Sequence, residues 1–170
     1  MDSPYIVTTF LFDAGRKISE SGINPILPII RVNQDDTKLM VNQSYVFKGN
    51  KKPLKLTSMQ TKLFSLMANR TEKMDIEVKN KNKDFTVSVD RAKVKFKIIT
   101  SPNKPPVLKM NMMINGIVEE STFEMSPAQL DTYGKVTAKH TKKEALKFLK
   151  HLQKENTDPL GFPCVIEQPE

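Results

Sequence analysis

The chain has 170 residues, 38% hydrophobic and 27% charged, which suits one packed domain with a small appendage and does not point to disorder. A formal charge of +8 favours anionic partners: nucleic acid, acidic protein or an anionic membrane surface. The single cysteine, Cys164, excludes an internal disulfide and a multi-cysteine metal site, and no stretch reaches the roughly 18 apolar residues of a membrane helix.

Ser3 and Pro4 read as a helix start, with serine as N-cap and proline at the first helical position. Ile6, Val7, Phe10, Leu11, Ala14 and Ile18 then share one helical face. Gly22 stops that helix and Asn24-Pro25 bars its continuation. Ile26 to Val32, interrupted by Pro28, is expected as an edge strand or extended connector, because proline removes a ladder donor. Asn33 to Thr37 is a polar turn. Lys38 to Lys48 reads as a strand, with Leu39, Val41, Tyr45 and Phe47 on one parity and Met40 and Val46 on the other. Gly49 to Pro53 breaks it.

That break divides the chain into residues 1–52, a helix with strands left from a preceding domain, and residues 53–170, a C-terminal α+β domain. One helix and two strands bury little by themselves. Ser58 is expected to cap a helix from Met59 to Asn69, with Leu63, Phe64, Leu66 and Met67 apolar. Met74, Ile76 and Val78 alternate with polar residues. After a turn at residues 80–84, Phe85, Val87 and Val89 alternate, and Val94, Phe96 and Ile98 resume on the opposite parity. Lys93, Lys95 and Lys97 face the other way. This is the pattern of an antiparallel sheet with one wet face, and the parity change places a bulge or bend near Arg91.

A proline-rich turn spans Ser101 to Pro106. Leu108, Met110, Met112 and Ile114 alternate again, and a last strand runs through Ile117 and Val118 past Gly116. Ser126-Pro127-Ala128-Gln129 has the residues of a capping box. Leu130, Tyr133, Thr137, Thr141, Ala145, Phe148, Leu149 and Leu152 form one helical stripe ending near Asn156, and Gly134 is where a kink would form. The expected fold is α+β: an antiparallel sheet of three to four strands with the long C-terminal helix and a shorter helix packed on one face.

Chemistry is sparse. No nucleophile motif or glycine-rich phosphate loop is present, and Asp35-Asp36 and Glu119-Glu120 read as solvated surface carboxylates. His140 and His151 are eleven residues apart on one helix, roughly 16 Å at the usual rise, too far to share a metal. Asn42-Gln43-Ser44 and Asn69-Arg70-Thr71 match a glycosylation triplet that matters only in a eukaryotic secretory route. Lys135, Lys139, Lys142, Lys143, Lys147, Lys150 and Lys154 lie away from the apolar stripe of the last helix. They read as a solvated basic face, or as one attracted to anionic headgroups. Nucleic acid is not expected, because no aromatic residues interleave with these lysines. No cofactor or metal is implied.

Three segments carry a family resemblance. Gly22-Ile23-Asn24-Pro25-Ile26-Leu27-Pro28, followed by Tyr45-Val46-Phe47-Lys48-Gly49, resembles the middle of the spore germinant-receptor C subunit family (GerAC-type germination lipoproteins). Leu63 to Ile98 is similar to that family's helix and alternating strands. Leu149 to Gly161 resembles its closing helix and the turn after it. Pro163 stands where the family has glycine, and Cys164 to Glu170 departs from its basic, aromatic tail. The family's N-terminal lipoprotein signal and further N-terminal domain have no counterpart in the chain.

The resemblance implies a non-enzymatic accessory or scaffold component of a nutrient germinant receptor. It implies a peripheral position on the outer face of the spore inner membrane, with the integral membrane subunits A and B as partners and no catalytic residues. The second reading is a free basic module for anionic lipid or nucleic acid.

Overall fold

The computed structural model describes residues 7, 9–19, 22–32, 38–79, 83–102 and 104–162. The Ser3-Pro4 helix start, the turns at 33–37 and 80–82, and Cys164 lie outside them. In chain order the elements are α1 (Leu11–Ser19), β1 (Ile26–Val32), β2 (Leu39–Val46), β3 (Leu54–Leu56), α2 (Ser58–Met67), β4 (Met74–Val78), β5 (Phe85–Ser101), β6 (Lys104–Ser121) and α3 (Leu130–Lys154). A short 3-10 turn, Pro127–Gln129, leads into α3.

The strands form two antiparallel three-stranded sheets, ordered β1-β2-β3 and β4-β5-β6. In the first, β1 is an edge strand, which is where Pro28 can sit without costing a ladder bond. Its register slips between Ile29 and Ile30, leaving Asn42 of β2 as an extra residue. Ser44 and Val46 are buried, while Leu39 and Tyr45 are exposed. β2 pairs with β3 across the break at residues 49–53.

In the second sheet, β5 and β6 run as one long ribbon, and β4 covers only residues 85–89 of β5. The extra residue that flips the parity of β5 is Asp90, between the pairs Val89↔Gly116 and Arg91↔Asn115. Beyond β4, the Asn69 side chain takes over as a neighbour. Its amide donates to the Val94 carbonyl at 3.1 Å and accepts from the Val94 N–H at 3.1 Å. β6 continues through residue 116 because that position has no side chain. A Cβ there would lie 2.3 Å from the Ser88 carbonyl oxygen and 2.9 Å from the Val89 Cα. Gly116→Ala is therefore expected to lower stability by about 1–3 kcal/mol, read as a lower urea midpoint with an unchanged slope.

α2 is the centre of the molecule. Residues Thr61 to Met67 are all buried, as in a helix surrounded by other elements rather than amphipathic on a surface. Leu63, Phe64 and Met67 join a core with Val7, Ile26, Val46, Leu56, Ala145, Phe148 and Leu152. Leu66 joins a second core made by the inner face of the β4-β5-β6 sheet and Tyr133. The buried Lys62 turns outward along β4 and donates to the Asp75 carbonyl at 3.2 Å.

Several local expectations change. The N-cap of α2 is Thr57, not Ser58. Thr57 accepts from the Gln60 N–H at 3.3 Å and donates its own N–H to Gln60 Oε1 at 2.9 Å, a reciprocal capping box. Conversely, Ser126 makes no side-chain cap bond, because Pro127–Gln129 is a 3-10 turn and Gln129 Oε1 accepts from the Tyr133 hydroxyl instead. The face read on the first helix is only partly buried. Ala14 is inside, but Phe10 and Ile18 are 70% and 74% exposed, and no element among the described residues covers them. The stripe on α3 is buried from Tyr133 to Leu152 except for Leu149, which is half-buried, with Leu130 exposed, and α3 runs uninterrupted past Gly134.

Candidate functional site

α3 buries Tyr133, Thr137, Thr141, Ala145, Phe148 and Leu152. Lys135, Lys139, Lys142, Lys143, Lys147, Lys150 and Lys154 are all exposed. At 3.6 residues per turn they span an arc of roughly 140°, opposite the buried stripe, and a length of roughly 28 Å. Lys147 lies 4.0 Å from Glu144, one turn back on the same helix. These lysines form one continuous face, and Lys142 at its edge also lines a recess.

That recess lies along the flank of α3 that carries Ala138, Lys142 and Leu146. The helix packs over β4 and α2, which leaves the inner face of β6 half-covered. The result is an open groove of about 1200 Å³ between Met110, Met112, Ile114 and Val118 of β6 and Gly134, Ala138, Ala145 and Leu149 of α3. Its walls are mostly apolar. The hydroxyls on its floor are already occupied within the helix: Thr137 donates to the Tyr133 carbonyl and Thr141 to the Thr137 carbonyl, each at 2.9 Å. Ligand pockets for small molecules orient their cargo with a few free polar groups in about 300–1,000 Å³. This groove is larger, and its lining also carries Asn111, Glu119, Glu120, Ser126 and Lys142, so its chemistry suits an amphipathic segment of another chain.

No group of three or more metal-ligating side chains exists among the described residues. His140 and His151 are half-buried helix residues. Burial lowers the Arg70 guanidinium, opposed by the Asp13 charge, and Arg70 sits 5.4 Å over the Phe64 ring. These contacts anchor the end of α2 rather than build a reactive centre.

The segments that are separate in the sequence meet at one place. α3 ends in a Schellman turn, with Asn156 at a positive φ of 51°, its N–H bonded to the Gln153 carbonyl and the Thr157 N–H to the Leu152 carbonyl, each at 3.0 Å. The chain then reaches Asp158. The Asn24 N–H donates to the Asp158 carbonyl at 2.9 Å, and the Asp158 N–H donates to Asn24 Oδ1 at 2.6 Å. Asp158 Oδ1 accepts from the N–H groups of Leu160 at 3.0 Å and Gly161 at 2.8 Å. Gly161 has a φ of 77°, and a Cβ there would press on Ile23 at 3.0 Å. Phe47 donates its N–H to the Pro25 carbonyl at 2.8 Å, and Lys48 donates to the Asn156 carbonyl. Phe162 closes the cluster edge-on against Phe96, 5.0 Å between centroids. Burial pushes the Asp158 carboxyl above its usual range, and the N–H groups of Gly161, Leu160 and Phe162 pull it back. The knot ties the turn before β1 to the turn after α3. No spacing rule joins Asn24 to Asp158, so sequence reading missed it.

Residues 42–169 match the family described as spore germination B3/GerAC like, C-terminal. The chain belongs to that family. The fold agrees: the crystal structure of the GerBC protein superposes with a TM-score of 0.76 over 91% of this chain, at 18% sequence identity. The chain spans 49% of the GerBC chain, so it corresponds to about half of that protein. No curated protein matches. The GerAC-like match begins at residue 42, within β2, and so includes the end of that strand, β3, α2, the β4-β5-β6 sheet, α3, the groove and the Asp158 turn, while β1 and Asn24 precede it. No helix among the described residues of this GerAC-like chain is long and apolar enough to cross a membrane.

Proposed function

We propose that the chain is an accessory, scaffolding component of a nutrient germinant receptor, acting by docking and not by catalysis. In this reading it sits peripherally on the outer face of the spore inner membrane and binds the receptor's integral membrane subunits A and B. The observation that carries the reading is membership of the spore germination B3/GerAC like family over residues 42–169. The groove between β6 and α3 supplies a mode of action: an open, largely apolar cleft of about 1200 Å³ edged by polar and charged residues fits a segment of a partner protein better than a nutrient molecule. Ala138 and Leu146 line it and are exposed, so charge placed there opposes docking without entering either core. Ala138→Glu combined with Leu146→Glu is expected to cut co-purification with detergent-solubilised A and B subunits at least tenfold while leaving the unfolding midpoint unchanged. Undiminished co-purification excludes the groove as the docking site, and absence of either subunit from the wild-type complex contradicts the receptor assignment.

The second reading, a free basic module for anionic lipid or nucleic acid, is favoured by the exposed lysine arc of α3. It requires binding to vesicles or oligonucleotides that falls steeply with salt and is lost on neutralising those lysines.

A further inference from the structure

Past the Asp90 bulge, the residues of β5 that point away from the core are Arg91, Lys93, Lys95, Lys97 and Ile99, all exposed. Their cross-strand partners on β6 are, in order, Asn115, Met113, Asn111, Lys109 and Val107. Lys97 therefore stands directly opposite Lys109, a like-charge pair that weakens the sheet. Among the described residues, no ion pair or hydrogen bond of the side chain neutralises Arg91, Lys93, Lys95, Lys97 or Lys109. The cationic strip ends in an apolar pair, Ile99 and Val107, 41% and 58% exposed, and Met113 beside Lys93 is 60% exposed.

We propose that this outer face of the β5–β6 ribbon docks on an anionic phospholipid leaflet, with the cations at the headgroups and Ile99 and Val107 dipping below them. Several features favour lipid. The strip is roughly 27 Å long at about 3.4 Å per residue, with its cations on one face of the ribbon. An anionic surface relieves the Lys97–Lys109 repulsion. An apolar tip beside lysines matches the layered polarity of a leaflet. Aromatic stacking groups, which a single-stranded nucleic acid would need, are missing from this face. α3 packs on the inner face of the same sheet through Tyr133, so its lysines point away from the ribbon's outer face. One planar membrane can reach only one of the two sets.

The inference deepens the membrane-peripheral reading above. Its test needs no receptor subunit, so its failure leaves the receptor assignment standing. The chain is sedimented with vesicles of phosphatidylcholine containing 30% phosphatidylglycerol, against phosphatidylcholine alone. The ribbon variant Lys95→Gln/Lys97→Gln/Lys109→Gln is compared with the helix variant Lys139→Gln/Lys143→Gln/Lys150→Gln, which removes the same charge. The ribbon variant is expected to bind the anionic vesicles on the order of 100-fold more weakly, and the helix variant less than about threefold more weakly. Ile99→Ser/Val107→Ser is expected to weaken vesicle binding severalfold while leaving binding to inorganic polyphosphate unchanged. Equal losses from both lysine triples, a larger loss from the helix triple, or no anionic-vesicle binding by the wild type overturns the proposal. Unchanged vesicle binding by the tip variant also overturns it, and reassigns the face to a soluble polyanion. Circular dichroism checks that each variant is folded, and relief of the Lys97–Lys109 pair favours folding of the ribbon variant.

Discussion

Replacing Phe148 with alanine is expected to lower the unfolding free energy by about 3–5 kcal/mol. Phe148 is 1% exposed. It comes from α3 and shares a core with Leu63, Phe64 and Met67 of α2, Ile26 of β1, Val46 of β2 and Leu56 of β3. No single neighbour can collapse into the space, because the surrounding side chains are fixed on different elements. The loss is large against the roughly 5–15 kcal/mol that holds a typical domain. Leu146, two residues earlier on the same helix and 46% exposed, is the control. Leu146→Ala should change stability by less than about 0.5 kcal/mol. Urea unfolding followed by circular dichroism separates the two.

The second large effect is expected at Asp158, where alanine should cost about 2–4 kcal/mol and asparagine little or nothing at neutral pH. The carboxyl works as an acceptor for the Leu160 and Gly161 N–H groups, and an amide oxygen can accept the same two bonds. Alanine leaves those donors without a partner in a partly closed turn. The charge itself is a liability there, since burial raises the carboxyl above its usual 3.8. The folded protein therefore holds this proton more tightly than the unfolded chain. The group's contribution to stability is greatest below 3.8 and is lost as pH rises through the raised folded value. Asp158→Asn should remove that component of the pH dependence, so the difference in stability between wild type and variant should change across the acid window and be flat above it. A pH-independent difference contradicts the raised carboxyl.

Much of the fold was legible because the relevant signals are local. The alternation at Met74-Ile76-Val78 and Phe85-Val87-Val89 marks faces that are buried in the structure, and the parity change before Val94 marks the Asp90 bulge. The stripe from Tyr133 to Leu152 marks the buried side of α3. Other features depend on partners that a local pattern does not contain. β3 is three residues long and exists only because β2 lies beside it. Thr57 rather than Ser58 caps α2 because Gln60, not the residue after it, reaches back to the cap. Phe10 and Ile18 have the spacing of a buried face, but no element covers them among the described residues.

The same distinction applies to the site. The lysines of α3 could be read from spacing alone. The groove could not, because it arises from α3 leaning over β4 and away from β6. The ribbon's outer cations were visible as alternating lysines, but their pairing with Lys109 and Val107 needed the register. The division at 52/53, which assigns the first hairpin to a preceding domain, stands as a proposal. The β2–β3 pairing and the shared core of Ile26, Val46 and Phe148 mean that any cut there leaves the two parts associated, which limited proteolysis followed by gel filtration would read.

This member of the spore germination B3/GerAC like family is proposed to serve a nutrient germinant receptor. Dipicolinic acid release from spores tests it most directly, comparing the parent, a deletion of the gene, and the deletion complemented with the wild type or with Ala138→Glu/Leu146→Glu, over amino acids, sugars and nucleosides. The expected result is selective loss of release for one nutrient class, restored by the wild type and not by the groove variant. Release that is unchanged for every nutrient in the deletion strain, with no other member of the family present, would contradict the claim.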